Sequence, residues 1–163
     1  MTAPAVTAIL DLIATRLALI TTTNEYNYTI TKIERARLEP FISDDLPAIN
    51  YWSTGLENTR DDYGDDQRAI PFYVEAHTKT HDEVFIDVAS KLAADIVTAI
   101  NRTTAAPKVS DAINTDLNGV VSDIIFNGYD HEIGKGQSPW CGVLLSFSIK
   151  YNTPVFNMTT YNE

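Results

Sequence analysis

Two histidines near the middle of the chain have a spacing that can place metal ligands side by side. His77 and His81 are four residues apart, which on a helix would put both imidazoles on one face, as in zinc hydrolases. The pair instead falls at the predicted end of a strand, no glutamate lies between them as a general base, and the third histidine, His131, belongs to a distant predicted strand. Surface histidines are the favoured interpretation, and a metal-dependent hydrolase is kept as an alternative function.

A run of carboxylates lies in the polar segment of residues 55–68. Its members are Glu57, Asp61, Asp62, Asp65 and Asp66. Acidic loops bind Ca²⁺ through carboxylate oxygens, with ligands at fixed positions around an invariant glycine. If Gly64 were that glycine, Thr59, Tyr63 and Ile70 would occupy the first, fifth and twelfth positions. We therefore predict no metal site and interpret this segment as an exposed acidic hairpin loop.

No nucleophile or phosphate-binding motif is complete. Lys135 lies between Gly134 and Gly136, whereas a phosphate-binding loop needs Ser or Thr directly after its lysine and then a helix. The Gly-x-Ser-x-Gly elbow of serine hydrolases is absent from the sequence. Cys141, the only cysteine, falls on the apolar face of a predicted strand, where a thiol packs as a small hydrophobe. The sequence predicts no catalytic residue, metal or cofactor, and no enzyme activity.

Composition and charge narrow the class of protein. The 163 residues include 12 Lys and Arg against 22 Asp and Glu, a net charge of -10, and such a field repels the phosphate backbone of nucleic acids. One cysteine allows no internal disulfide, which fits a reducing compartment. Residues 6–20 are apolar, but Asp11 and Arg16 interrupt them, so we expect neither a signal peptide nor a membrane span.

Hydrophobic periodicity predicts two helices and five strands. Apolar residues repeat at three- and four-residue steps over residues 6–20 and 84–100, the second helix being capped by Thr80 or Asp82. Strands are predicted at residues 26–37, 46–52, 69–78, 120–133 and 141–151, the fourth with a bulge at Gly128. Residues 108–118 are a connector with a short helical turn around Val109, Ile113 and Leu117.

This order of elements predicts an α+β fold. We expect one domain over residues 1–153, with a mostly antiparallel sheet of four to five strands and two main helices packed on one face. Residues 154–163 are predicted to be a flexible tail that orders only against a partner.

Nearly the whole chain resembles the tail terminator, or tail completion, family of long-tailed bacteriophages. The resemblance lies in fold-shaping residues: a proline-led strand at 47–52, an acidic hairpin loop, a return strand, a helix and a final strand pair. In the return strand, the helix and the final strand pair, the residues that carry the resemblance are Arg68, Phe72, Val74, Asp87, Leu92, Ala93, Ile96, Ile125, Gly128, Asp130, Leu145, Phe147, Ile149, Tyr151 and Thr153. Residues 101–118 have no counterpart that can be aligned.

The resemblance implies a structural virion protein at the head-proximal end of the tail, assembled in the bacterial cytoplasm. It would form a homo-oligomeric, hexameric ring that caps the tail tube, ends tail elongation and provides the surface for head attachment. Its partners would be other copies of itself, the tail tube protein and a head connector or neck protein, with no membrane.

The acidic loop then gains a second interpretation. Carboxylates lining the lumen of such a ring would repel the genome and let DNA pass without specific binding. A head-to-tail connector or other neck subunit is the alternative function within the same class of proteins, because it would share the acidity, the size and the lack of chemistry.

Overall fold

The chain folds into one mixed sheet and two helices. The computed structural model describes residues 5–60, 66–80, 84–133 and 140–153. The elements are α1 (Ala5–Leu17), β1 (Lys32–Arg35), β2 (Ala48–Ser53), β3 (Glu57–Arg60), β4 (Asp66–Lys79), α2 (Phe85–Ile100), β5 (Asp123–Ile133) and β6 (Trp140–Thr153). The predicted α+β class is confirmed. Neither of the described helices is long and apolar enough to cross a membrane.

The strands follow the order β1-β2-β4-β6-β5, and β3 pairs with β4 beside β2. Four of the five pairings are antiparallel, whereas β1 and β2 are parallel. The expected sheet of four to five strands is therefore corrected to six strands with one parallel pair. β3 was missed because its sequence, Glu-Asn-Thr-Arg, has no apolar alternation and is held by backbone pairing to residues 66–69 of β4.

The first strand is shorter than residues 26–37, over which it was predicted. The alternating residues before Lys32 are not part of a strand, because their backbone N–H groups have other acceptors: the carboxylate of Asp95 on α2 accepts those of Asn27 and Tyr28, and Ile20 and Pro47 accept those of Ile30 and Thr31. Asp95 Oδ1 lies 3.2 Å from the Asn27 nitrogen, and Oδ2 lies 3.0 Å from the Tyr28 nitrogen. A single buried side chain thus fixes the approach of the chain to β1.

The core lies against one face of the sheet. Alternate residues of the two long strands are buried, among them Ile70, Phe72, Val74 and Ala76 of β4 and Val143, Leu145, Phe147, Ile149 and Tyr151 of β6. This period of two is that of a strand with one face on a core. These residues form one cluster with the buried stripes of α1 and α2, and α2 lies against β5 and β6 and contacts α1.

Two buried arginines hold the connector between α2 and β5. Arg16 on α1 donates hydrogen bonds to the carbonyl oxygens of Ile100 (2.6 Å) and Asn114 (2.7 Å). Arg102 donates to the carbonyl oxygen of Val109 at 2.6 Å. The predicted helical turn around Val109, Ile113 and Leu117 is wrong, because Leu117 has a left-handed φ of 50° that a right-handed helix excludes.

Candidate functional site

The acidic hairpin is only partly described. Glu57 is exposed and begins β3, and Asp66 begins β4, where its backbone is opposite Arg60 and Thr153. Asp61, Asp62 and Asp65 lie outside the described residues. β3 and β4 form the two arms of the hairpin, and the function of its loop stays a prediction.

The histidines proposed as alternative metal ligands do not come together in the described structure. His77 lies on β4, His131 on β5, and His81 is outside the described residues. The imidazole of His131 makes edge contacts with the rings of Phe85 and Tyr129. The part of the chain that the structure describes has no group of three or more His, Cys, Asp or Glu that could hold a metal ion.

Cys141 is buried at the start of β6. Burial raises the pKa of its thiol to about 11, because an apolar surrounding disfavours the thiolate. The thiol therefore packs in the fold without the properties of a nucleophile.

A pocket of about 500 Å³ lies on the sheet face opposite the core. Residues 37–46, which join β1 to β2, form one wall. Side chains of the sheet form the other, and Glu75 and His77 point into it because they alternate with the buried Val74 and Ala76. Trp140, the first residue of β6, closes one end. We call this site the 37–46 pocket.

Aromatic rings build much of this pocket. The imidazole of His77 makes edge contacts with the rings of Trp140, at 4.8 Å between centroids, and Phe41, at 6.4 Å. His77 can lie flat on the sheet because the residue beside it is Gly142, where a Cβ atom would fall 2.4 Å from the His77 Cδ2 atom. The guanidinium of Arg37 covers the Phe41 ring at 4.8 Å, a favourable cation–π geometry.

Charged groups also line the pocket. Glu75 Oε2 accepts a hydrogen bond from Asn50 at 3.3 Å, and Glu75 Oε1 lies 3.6 Å from the His77 Nε2 atom. Arg37, Glu39 and Lys79 are also in the lining. The lining also has an exposed apolar residue, Leu38, which is 98% exposed, and Ile42 in the same segment is 63% exposed. A concave surface with an apolar wall and a few polar groups is the usual form of a binding site.

A second apolar surface lies on the other face of the sheet, at the beginning of α2. Val84 is 64% exposed and Ile86 is 57% exposed, and on β5 Phe126 and Tyr129 are 40% and 41% exposed. The Tyr129 hydroxyl lies 3.4 Å from the Ser90 hydroxyl of α2, so Tyr129 is beside the helix. Tyr129 is on the same face of the sheet as the buried Leu145, which is opposite it. We call these four residues the α2 surface.

Sequence reasoning missed both surfaces. The sequence features that could have indicated these surfaces are large apolar residues in otherwise polar or turn-forming segments, namely Leu38, Ile42 and Val84. Periodicity assigns residues to elements, but it does not reveal which exposed residues from separate segments come together. No protein-family model matches this chain, and neither does any curated protein.

Proposed function

We propose that this chain is a structural subunit that assembles head to tail into a closed ring, caps a phage tail tube and presents a surface for head attachment. The observation that carries the proposal is the presence of two different apolar surfaces on opposite faces of one sheet. Large apolar groups left in water are costly unless a partner covers them.

The arrangement favours a ring over a twofold dimer. A twofold contact joins the same patch on both subunits, whereas a ring joins one patch to a different patch on the next copy. The 37–46 pocket is a concave site with charged groups in its lining, whereas the α2 surface consists of exposed apolar side chains of a helix and a strand, so the two patches are different. Copies in contact through both would continue in one direction until the rotation closes, and we propose six copies, as the family resemblance implies.

The rest of the architecture fits the same assembly. The shared core of the sheet with α1 and α2 supports the packing of both helices on one face. That arrangement leaves the opposite face and the β3–β4 hairpin available to a partner. The carboxylates of the hairpin, with the net charge of -10, support a lumen or rim past which DNA slides without binding.

A charge placed on one of the two surfaces tests the proposal. Leu38→Asp adds a carboxylate to the rim of the 37–46 pocket and is expected to abolish the ring, because it removes the apolar area that the contact would bury and adds the cost of desolvating a charge. Ile113→Asp is the matched control, since Ile113 is 70% exposed on the connector, apart from both surfaces. Native mass spectrometry of both variants measures the outcome. Loss of the ring in both variants, or in neither, would contradict the proposal.

Attachment to virion parts tests the second half of the proposal. Purified rings are mixed in parallel with isolated tail tubes and with filled, tail-free heads, and binding is examined by electron microscopy. A tail cap binds the open end of the tube. Rings that bind heads and never tubes would identify a neck subunit instead.

A further inference from the structure

We infer that the 37–46 pocket receives the first turn of α2 from a second copy of this chain. The inference rests on the proposed ring and specifies which two surfaces form its repeated contact. Val84 and Ile86 would enter the pocket, and Leu38 of the receiving subunit would cover them.

Position in the fold supports this pairing. The pocket is lined by Lys79 and Trp140, the last residue of β4 and the first of β6, which are opposite each other at one end of the sheet. Phe85, the first residue of α2, contacts the ring of His131 on β5, and His131 is opposite Val143, three residues from Trp140. The pocket and the start of α2 therefore lie near the same end of the sheet but on opposite faces. Two surfaces on opposite faces of one subunit can meet only between different copies, as a head-to-tail contact requires.

The chemistry of the two surfaces is complementary. Val84 and Ile86 are aliphatic, and the pocket offers them the apolar atoms of Leu38, Phe41 and Trp140. Their exposed fractions of 64% and 57% leave most of each side chain free to be buried by a partner. Burial of a Val or Ile side chain contributes to association in proportion to the apolar area removed from water.

The helix start adds an electrostatic reason. The N-cap of α2 is Val84, which has no side-chain oxygen and makes no side-chain cap hydrogen bond. The N–H groups in the first turn of a helix have no partner within the helix, and they form the positive end of its dipole. Glu39 and Glu75 line the pocket, so the contact would bring carboxylates to that positive end.

Charges next to the helix start fit the same contact. Asp87 is exposed in the first turn of α2, and Arg37 and Lys79 line the pocket. Arg37 already forms an ion pair with Glu34 at 2.7 Å, so Lys79 is the cation of the lining that an entering Asp87 would meet. The segment thus matches the pocket in apolar character and in backbone polarity, and Lys79 gives Asp87 an opposite charge.

Cross-linking between copies tests the inference directly. Leu38→Cys in one full-length chain and Ile86→Cys in another place thiols on the two sides of the inferred contact, both at exposed positions. The native Cys141 is buried and does not compete. The two variants are mixed, treated with a short bis-maleimide, and examined by denaturing gel and by mass spectrometry of linked peptides. The control mixture combines Leu38→Cys with Ile113→Cys.

The expected result is a covalent dimer linked between positions 38 and 86, with none above background in the control. Native mass spectrometry of the untreated mixtures reports ring formation separately. Rings that lack the 38–86 link would overturn this inference and leave the proposed ring intact. Absence of both rings and links, also when tail tubes are added, would overturn the inference together with the proposed function.

Discussion

Replacement of Asp95 by alanine should weaken the whole fold, because this side chain joins α2 to the segment that leads into β1. Asp95 is 3% exposed. Its carboxylate accepts hydrogen bonds from the Asn27 side chain at 2.7 Å and from the backbone nitrogens of Asn27 and Tyr28 at 3.2 and 3.0 Å. Asp95→Ala removes all three acceptors at once.

The expected cost is about 2–4 kcal/mol. Hydrogen bonds to a charged group contribute about 1.5–3 kcal/mol each, so three give an upper limit of roughly 5–9 kcal/mol. Two effects reduce that limit. Asn27 is exposed and Tyr28 is half-buried, so water can reach some of the freed donors. Burial also raises the pKa of Asp95, which means that removal of the carboxylate recovers the free energy spent on desolvation.

Urea unfolding followed by circular dichroism is the assay. With an m-value of about 2 kcal/mol/M, in the middle of the usual range, the loss would lower the unfolding midpoint by roughly 1–2 M. Asp11→Ala is the matched control, since Asp11 is also an aspartate on a helix but its side chain is 68% exposed; its effect should stay within about 0.5 kcal/mol. A loss below about 1 kcal/mol for Asp95→Ala, or equal losses for both variants, would refute the reasoning.

The raised pKa of Asp95 also gives a pH dependence with a definite sign. The folded protein holds this proton more tightly than the unfolded chain, whose value is near the ordinary 3.8. The favourable contribution of the protonated form is complete below that value and is lost as the pH rises through the folded pKa. As the pH rises from 3.8 through the folded pKa of Asp95, the natural protein should lose stability relative to Asp95→Asn. Above the folded pKa, and so at neutral pH, the difference in free energy of unfolding between the two proteins should stay constant. An opposite slope in paired unfolding titrations would contradict the assignment.

Three further outcomes are expected. Arg16→Lys should cost about 1–3 kcal/mol and speed hydrogen exchange at Asn114, whose oxygens Arg16 binds; unchanged exchange would show that the guanidinium does not hold the connector. Gly142→Ala should destabilise by about 1–3 kcal/mol, since its Cβ would meet the His77 ring, and His77→Ala should relieve part of that cost, whereas additive losses in a double-mutant cycle would argue against this clash. Cys141 should react with a thiol reagent at pH 8 only after unfolding, because its pKa is about 11; rapid reaction of the folded protein would contradict its burial.

Long periodic segments were predictable from the sequence because each has one buried face. The apolar stripe predicted over residues 84–100 corresponds to α2, Phe85–Ile100, and the alternation over residues 141–151 lies within β6, Trp140–Thr153. The predicted bulge at Gly128 is confirmed by the register shift between Phe126 and Gly128. In each case the local residue pattern and the tertiary packing favour the same secondary structure.

Features that depend on contacts between distant segments were not predictable. Residues 26–31 alternate as a strand does, but the carboxylate of Asp95, more than sixty residues away, binds the backbone at Asn27 and Tyr28. The helical turn expected in the connector does not form. In this segment Arg16, from the first helix, donates a hydrogen bond to the carbonyl oxygen of Asn114. β3 has a polar sequence and exists through its pairing with β4.

The candidate site divides in the same way. The acidic residues from Glu57 to Asp66 are visible in the sequence as a charge run, and of these the structure places Glu57 at the start of β3 and Asp66 at the start of the paired β4. The 37–46 pocket required the fold, because it joins a loop wall to side chains of β4 and to Trp140 of β6. No local sequence pattern relates these segments to one another. They lie side by side because the sheet places β2, β4 and β6 next to one another.

The native mass of the purified full-length chain, measured alone and on isolated tail tubes, tests the central claim most directly. A closed ring predicts a discrete species of six copies of the 18.1 kDa chain, present in solution or formed at the tube end, and its loss in Leu38→Asp. A chain that remains monomeric on tail tubes, or that stops at a twofold dimer, would contradict the head-to-tail ring.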